Sequence, residues 1–242
     1  MTTPLLALET ATNVCGVALW HDGAVLTDAH LRRPRIHARH LAPLIQNVLE
    51  RADCAPADLA AVAVSMGPGS YTGLRIGVST AKGLARAVDA ALVGVPTLEA
   101  LAASVTPYAA PGDVLCALLD ARRDEVYAAA YRVAEDGTLQ PHSETKALTV
   151  DHLPEWLGTA DGRLWLVGDG GSKSEAPLAE AGFAPVRLPF DLHGPSAAWV
   201  ARRAVPRLEA GTVEDLASFE PYYLKAFAGT KPKHTPFERL SH

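Results

Sequence analysis

The chain predicts an α/β protein made of two duplicated α/β domains facing a cleft. Three observations carry that prediction. First, an apolar strand that ends in an acid and leads into a hairpin occurs twice. It reads Leu5-Leu6-Ala7-Leu8-Glu9 near the start and Cys116-Ala117-Leu118-Leu119-Asp120 in the middle. Second, the strand that follows each copy is turned by an Asp-Gly pair, Asp22-Gly23 in one case and Asp136-Gly137 in the other. Third, a strand, a glycine turn and a helix follow one another between residues 60 and 88, as in α/β units. The repeat interval is too long for a solenoid and suits duplicated domains.

In chain order, Leu5 to Leu8 is a short strand ending at Glu9-Thr10, and Val14 to Trp20 is the next. His21-Asp22-Gly23 turns the chain into a third strand at Ala24 to Leu26. Residues 30–40 hold a basic cluster of His30, Arg32, Arg33, Arg35, His37, Arg39 and His40. Leu41, Leu44, Ile45, Val48 and Leu49 mark an amphipathic helix, in which Pro43 is tolerable in the first turn. Ala60 to Val64 is apolar and β-branched enough for a buried strand. Leu74, Val78, Ala81, Leu84, Ala85 and Val88 recur at helical spacing, with Ser70 or Thr72 as the N-cap. Val93-Gly94-Val95-Pro96 closes this half, and Thr97 caps a helix that starts near Leu98.

The pattern restarts at Val114 to Leu119 and continues with Val126 to Val133. Leu164 to Val167 and Gly168-Asp169-Gly170-Gly171 form a later strand and turn. Ser196 to Leu208 reads as the helix of the second half, and Val213 to Leu216 as the start of a last one. These elements set the expected domains: 1–108, completed by a C-terminal helix within 210–229; 109–209; and a mobile tail over 230–242.

Composition limits the function. A chain of 242 residues, 48% hydrophobic, can bury a substantial core, and a net charge of −5 gives no global basic field for nucleic acid. Cys15, Cys54 and Cys116 are scattered and odd in number, which argues against a disulfide framework or a zinc site. The N-terminus lacks a signal-peptide pattern, and no apolar run approaches the roughly 20 residues that span a bilayer. A soluble cytoplasmic protein is expected.

The glycine turn invites a phosphate reading, since backbone N–H groups and a helix dipole favour an anion. A Walker loop, however, needs Lys and Ser/Thr after its last glycine, and here Leu74-Arg75 follow Gly73. The dinucleotide fingerprint is only loosely matched by Gly67, Gly69 and Gly73. Gly73, Gly77, Ala81 and Ala85 form a small-residue ridge that would let another helix approach. His37 and His40 stand i,i+3 among arginines, which does not suit a helical metal pair. No metal, cofactor or catalytic residue is expected.

Gly67-Pro68-Gly69-Ser70-Tyr71-Thr72-Gly73-Leu74-Arg75-Ile76-Gly77 resembles the signature of the bacterial threonylcarbamoyladenosine biosynthesis family TsaB, formerly YeaZ. Leu8-Glu9-Thr10-Ala11-Thr12, His40 to Ile45, Asp120-Ala121-Arg122, Glu125-Val126-Tyr127 and Pro221 to Lys225 fit the same family. The resemblance implies an actin-like, Hsp70 and sugar-kinase (ASKHA) fold. It also implies a non-catalytic partner of the catalytic paralogue TsaD, working with the ATPase TsaE. Together these would place threonylcarbamoyl on the adenosine beside the anticodon of ANN-decoding tRNAs, with a homodimer when TsaD is absent and tRNA contact at most weak or indirect. Glu9, Thr10, Gly67, Gly69, Ser70, Asp169 and Gly170 become candidates for a vestigial cleft. Leu41, Leu44, Ile45, Val48, Gly73, Leu74, Gly77, Val78 and Ala81 become candidates for partner docking. The sequence departs from the family at Glu9, usually Asp, and at Lys225, more often Arg. Magnesium demands a near-ideal octahedron, so the longer Glu9 would misplace it. The alternatives are an autonomous ATPase or phosphotransferase of the same fold, and a metallopeptidase.

Overall fold

The computed structural model describes residues 4–189 and 194–225. The first sheet begins as an antiparallel meander of β1 (Leu5–Glu9), β2 (Val14–His21) and β3 (Ala24–Arg32). Then β4 (Ala61–Gly67) and β5 (Ala91–Pro96) add in parallel on the other side of β1. The second sheet repeats this with β6 (Val114–Asp120), β7 (Glu125–Val133), β8 (Leu139–Thr149), β9 (Leu164–Val167) and β10 (Pro185–Arg187). The spatial orders are β3-β2-β1-β4-β5 and β10-β9-β6-β7-β8. The duplication inferred from the strand–acid–hairpin repeat therefore holds strand for strand.

Strand alternation decides what each face buries. On β1, Leu6 and Leu8 point to α1 (His37–Arg51) and α2 (Tyr71–Val88) and pack with Leu41, Val48, Val78 and Ala81. Leu5 and Ala7 point the other way, to α6 (Ala197–Glu209), with Val200, Ala201 and Ala204. The second sheet carries α4 (Leu153–Leu157) and α5 (Gly171–Glu180) on one face and α3 (Thr97–Ala103) on the other. Glu99 on α3 joins α6 through Arg203 and Arg207, each with an N–O distance of 2.6 Å. Against the effect of burial, the two guanidinium groups hold the Glu99 carboxyl below its usual pKa.

Several expectations change. Ser196 to Leu208 was expected in the second half, yet the helix lies on the first sheet, because its Ala-Val-Ala ridge fits beside Gly16, Ala7 and Ala18. The segment from Val213 onward is not a helix within the described residues. It runs over the first domain through a turn at residues 215–219, with Glu214 N–H on Leu92 O at 2.8 Å and Tyr222 N–H on Met66 O at 2.7 Å. Residues 226–229 and the tail 230–242 lie outside the described residues. α1 begins at His37, which puts Pro43 inside the helix rather than in its first turn. Pro43 is on the exposed side, where a carbonyl that loses its N–H partner can meet water. β3 continues to Arg32, well past Leu26.

Candidate functional site

The first site element is the end of β1. Glu9 is fully buried, and its Oε1 accepts the Ala11 N–H at 2.7 Å. The side chain thus curls back to cap its own turn. Burial, only partly offset by the Ala11 N–H and Ser65, raises its pKa to about 7. Glu9 Oε2 and Thr10 Oγ1 are buried without a hydrogen-bond partner. Thr10 N–H donates to Ser65 Oγ at 3.4 Å, from the end of β4.

The glycine turn lies directly on this end. Ser70 N–H donates to Ala11 O at 2.6 Å, and Gly67 N–H donates to Thr97 Oγ1 at 3.1 Å. Ser70 is the N-cap of α2, with its Oγ accepting the Gly73 N–H at 3.3 Å. Thr97, expected to cap α3, is inside that helix and spends its hydroxyl on Gly67 instead. Gly67 has φ of 120°, a conformation that L side chains rarely adopt. A β-carbon on Gly69 or Gly73 would overlap the carbonyls of Ala11 or Thr10. The small-residue ridge of α2 therefore admits the turn after β1, not a second helix.

The second half repeats the device. β9 leads through Gly168 (φ 106°) and Asp169 into α5, and Gly170 N–H donates to Leu118 O at 3.1 Å. Asp169 Oδ1 accepts the Asp120 N–H at 2.8 Å. Lys173 Nζ bonds Asp120 Oδ1 and donates to the carbonyls of Arg123 at 2.9 Å and Glu125 at 2.7 Å. A tethered ammonium thus fills an all-oxygen pocket. Against the effect of burial, the Lys173 hydrogen bond and the Arg122 N–H hold Asp120 below its usual pKa, whereas burial raises Asp169.

The cleft candidates thus assemble in two sets, Glu9, Thr10, Gly67, Gly69 and Ser70 on one side and Asp169 with Gly170 on the other. The chain at 222–225 bridges the two halves, with Tyr222 on Met66 and Lys225 paired to Glu125 at 2.6 Å. Ser65 and Lys173 are not among the sequence candidates, and Thr97 is there only as a helix cap.

Most docking candidates face inward. Leu41, Val48, Gly73, Leu74, Gly77, Val78 and Ala81 are buried in the chain's own core, which removes them from any open surface. Leu44 and Ile45 are half-buried. The outer side of the same two helices instead carries a groove of about 810 Å³ lined by Ala42, Ile45, Leu49, Ser79, Gly83 and Leu84 among others. Gly83 has open space where a β-carbon would stand. His37, weighed as a metal ligand, is buried with Nε2 donating to Val14 O at 3.0 Å.

Comparison with known proteins fits this geometry. Residues 33–163 match the family model described as TsaD, tRNA N6-adenosine threonylcarbamoyltransferase. The chain is 36% identical to the Escherichia coli tRNA threonylcarbamoyladenosine biosynthesis protein TsaB over 167 residues, covering 69% of this chain and 71% of that one. It is 35% identical to the Bacillus subtilis TsaB over 53% of this chain and 55% of that one. The solved structure of YeaZ from Pseudomonas aeruginosa matches with a TM-score of 0.81 at 29% identity, covering 92% of this chain and all of that one. A more distant likeness, TM-score 0.50 at 11% identity, to component A of the Acidaminococcus fermentans (R)-2-hydroxyglutaryl-CoA dehydratase concerns the fold alone, two five-stranded α/β sheets. On the glycine turn, the duplicated sheets and these relatives together, the chain belongs to the TsaB family of tRNA threonylcarbamoyladenosine biosynthesis proteins.

Proposed function

We propose that this chain is a non-catalytic partner subunit. It pairs with TsaD, works with TsaE through that pair, acts in the cytoplasm, and forms a homodimer when TsaD is absent. One observation carries the reading: at both glycine turns, backbone N–H groups that could face a phosphate are spent inside the chain. Ser70 donates to Ala11 O, Gly67 to Thr97 Oγ1 and Gly170 to Leu118 O. In the second half the place of a free cation is taken by Lys173. Shape is then the contribution, and the groove between α1 and α2 is the surface that supports it. Its floor is apolar, and stable partners bury roughly 800 Å² a side around such patches.

Capture of TsaD by this chain tests the reading, followed by tRNA modification in vitro with and without it. Gly83→Arg places a long side chain in the groove from a position with free space, so the fold is kept while capture falls at least tenfold. A chain that stays monomeric and fails to capture TsaD defeats the proposal. The duplicated domains and paired glycine turns favour one other reading, an autonomous ATPase or phosphotransferase. Calorimetric titration with Mg-ATP decides it, since tight stoichiometric binding would replace the partner reading.

A further inference from the structure

An aromatic and cationic surface crosses the two halves near the glycine turn. On α2, Arg75 lies 5.5 Å from the centroid of the Tyr71 ring and donates to its hydroxyl at 3.1 Å. On the other side, the Tyr223 ring sits 4.9 Å from Tyr71, tilted by 32°. Tyr223 and Tyr222 are 37% and 43% exposed. Two residues on, Lys225 lies 5.9 Å from the Tyr127 ring of the second half. Beyond it stand Arg122 and Arg123 at the β6–β7 turn, both exposed with positive φ. Glu220 and Asp124 are the exposed acids nearby, whereas Glu125 is paired with Lys225 and Asp120 with Lys173.

The backbone of this surface is held firmly. Tyr222 N–H is bound by Met66 O at 2.7 Å, and Lys82 Nζ donates to Phe219 O at 2.8 Å. Phe219 is buried beneath the segment. Aromatic faces interleaved with cations suit unpaired nucleobases, which stack on rings and guanidinium planes while the phosphates meet the flanking cations.

We propose that Arg75, Tyr71, Tyr223, Lys225, Tyr127 and Arg122 form a track for single-stranded RNA, on which one or two unpaired bases of the tRNA continue the Tyr71–Tyr223 stack. The choice of tRNA rests on the pathway reading above, but the track itself rests on the geometry. It is separate from the α1–α2 groove, so both surfaces can be occupied together.

The test is fluorescence polarisation of the full chain with a labelled short single-stranded RNA and with the same sequence annealed as a duplex. The single strand binds more tightly than the duplex. Tyr223→Ala and Tyr71→Ala each weaken it about tenfold, the usual loss for one stacking partner. Tyr223→Phe keeps binding, and Arg75→Ala lowers both affinity and salt dependence. Thermal midpoints close to wild type show that Tyr223→Ala leaves the fold intact. Equal binding of single strand and duplex, or wild-type affinity in both alanine variants, overturns the track. Loss of TsaD capture in Tyr223→Ala without any effect on RNA also overturns it, because the surface is then a protein contact. Capture of TsaD by the wild-type chain is scored separately: its failure with RNA binding intact defeats the partner reading alone.

Discussion

Two glycines of one helix should respond oppositely to the same change. In α2, Gly83 faces open space, and a β-carbon there meets nothing within 4 Å. Gly83→Ala therefore gains helix propensity alone, about 1 kcal/mol. At Gly73 the same atom overlaps the Thr10 carbonyl oxygen and comes within 3.3 Å of the Ser70 β-carbon. The obstacle is backbone, pinned on either side by the Glu9 cap on Ala11 and by the Ser70 N–H on Ala11 O. Overpacking of this kind costs about 3 kcal/mol at the upper end of its usual range. After the propensity gain of about 1 kcal/mol, Gly73→Ala loses about 2 kcal/mol. In a chain of this length that lowers the thermal midpoint by roughly 4–8 °C, while Gly83→Ala raises it by roughly 2–4 °C. Urea titration and calorimetry of both variants read the difference. Equal stability of the two, or a stabilised Gly73→Ala, would refute the claim that α2 is held against the turn after β1.

Three further outcomes follow from the same contacts. Glu9 titrates near 7 in the fold against 4.5 normally, so the native state holds its proton longer and stability falls as pH rises across that window, by on the order of 3 kcal/mol. Glu9→Gln removes that slope, and urea midpoints at pH 5 and pH 7.5 for the two proteins measure it. Glu99→Gln leaves Arg203 and Arg207 without their shared carboxylate. The loss is about 2 kcal/mol, below the 3–5 kcal/mol of a fully dry pair, because both guanidinium groups keep about a quarter of their surface in water. Since the Glu99 pKa is lowered, its contribution is present above the ordinary carboxylate range and fades as pH falls through the folded value, which acid titration of the variant checks. Lys173→Met leaves Asp120 and two carbonyls facing an unfilled pocket, so the second half melts earlier, a change that hydrogen exchange at β6 and β9 localises.

What the sequence disclosed, and what it withheld, follows from the range of each interaction. The strand–acid–hairpin repeat is local, so both halves are legible in the sequence. The inward face of α2 was not, because Gly73 and Gly77 have no side chain to show which neighbour they admit, and the neighbour, Thr10, is more than sixty residues away. Leu41, Val48 and Val78 carry the same apolar signal whether they pack on their own sheet or on a partner, so periodicity alone placed them on the wrong surface. β8 was unread because Leu139 to Thr149 mixes polar residues on an edge with few buried positions. Lys173 was unread because a single lysine after a glycine turn has no pattern of its own.

The return of α6 to the first sheet bears on how the molecule is made. While residues 1–108 emerge from the ribosome, Leu5, Ala7, Ala18, Trp20 and Ala63 lack the cover of Val200, Ala201 and Ala204, which have yet to be synthesised. The second half is therefore complete in a nascent chain whose first half is still open, and closure waits on a contact nearly two hundred residues long. Residues 1–108 produced alone should aggregate, and co-expression of residues 194–225 should rescue them. The joint of Glu99 with Arg203 and Arg207 thus comes into being at the last moment of assembly.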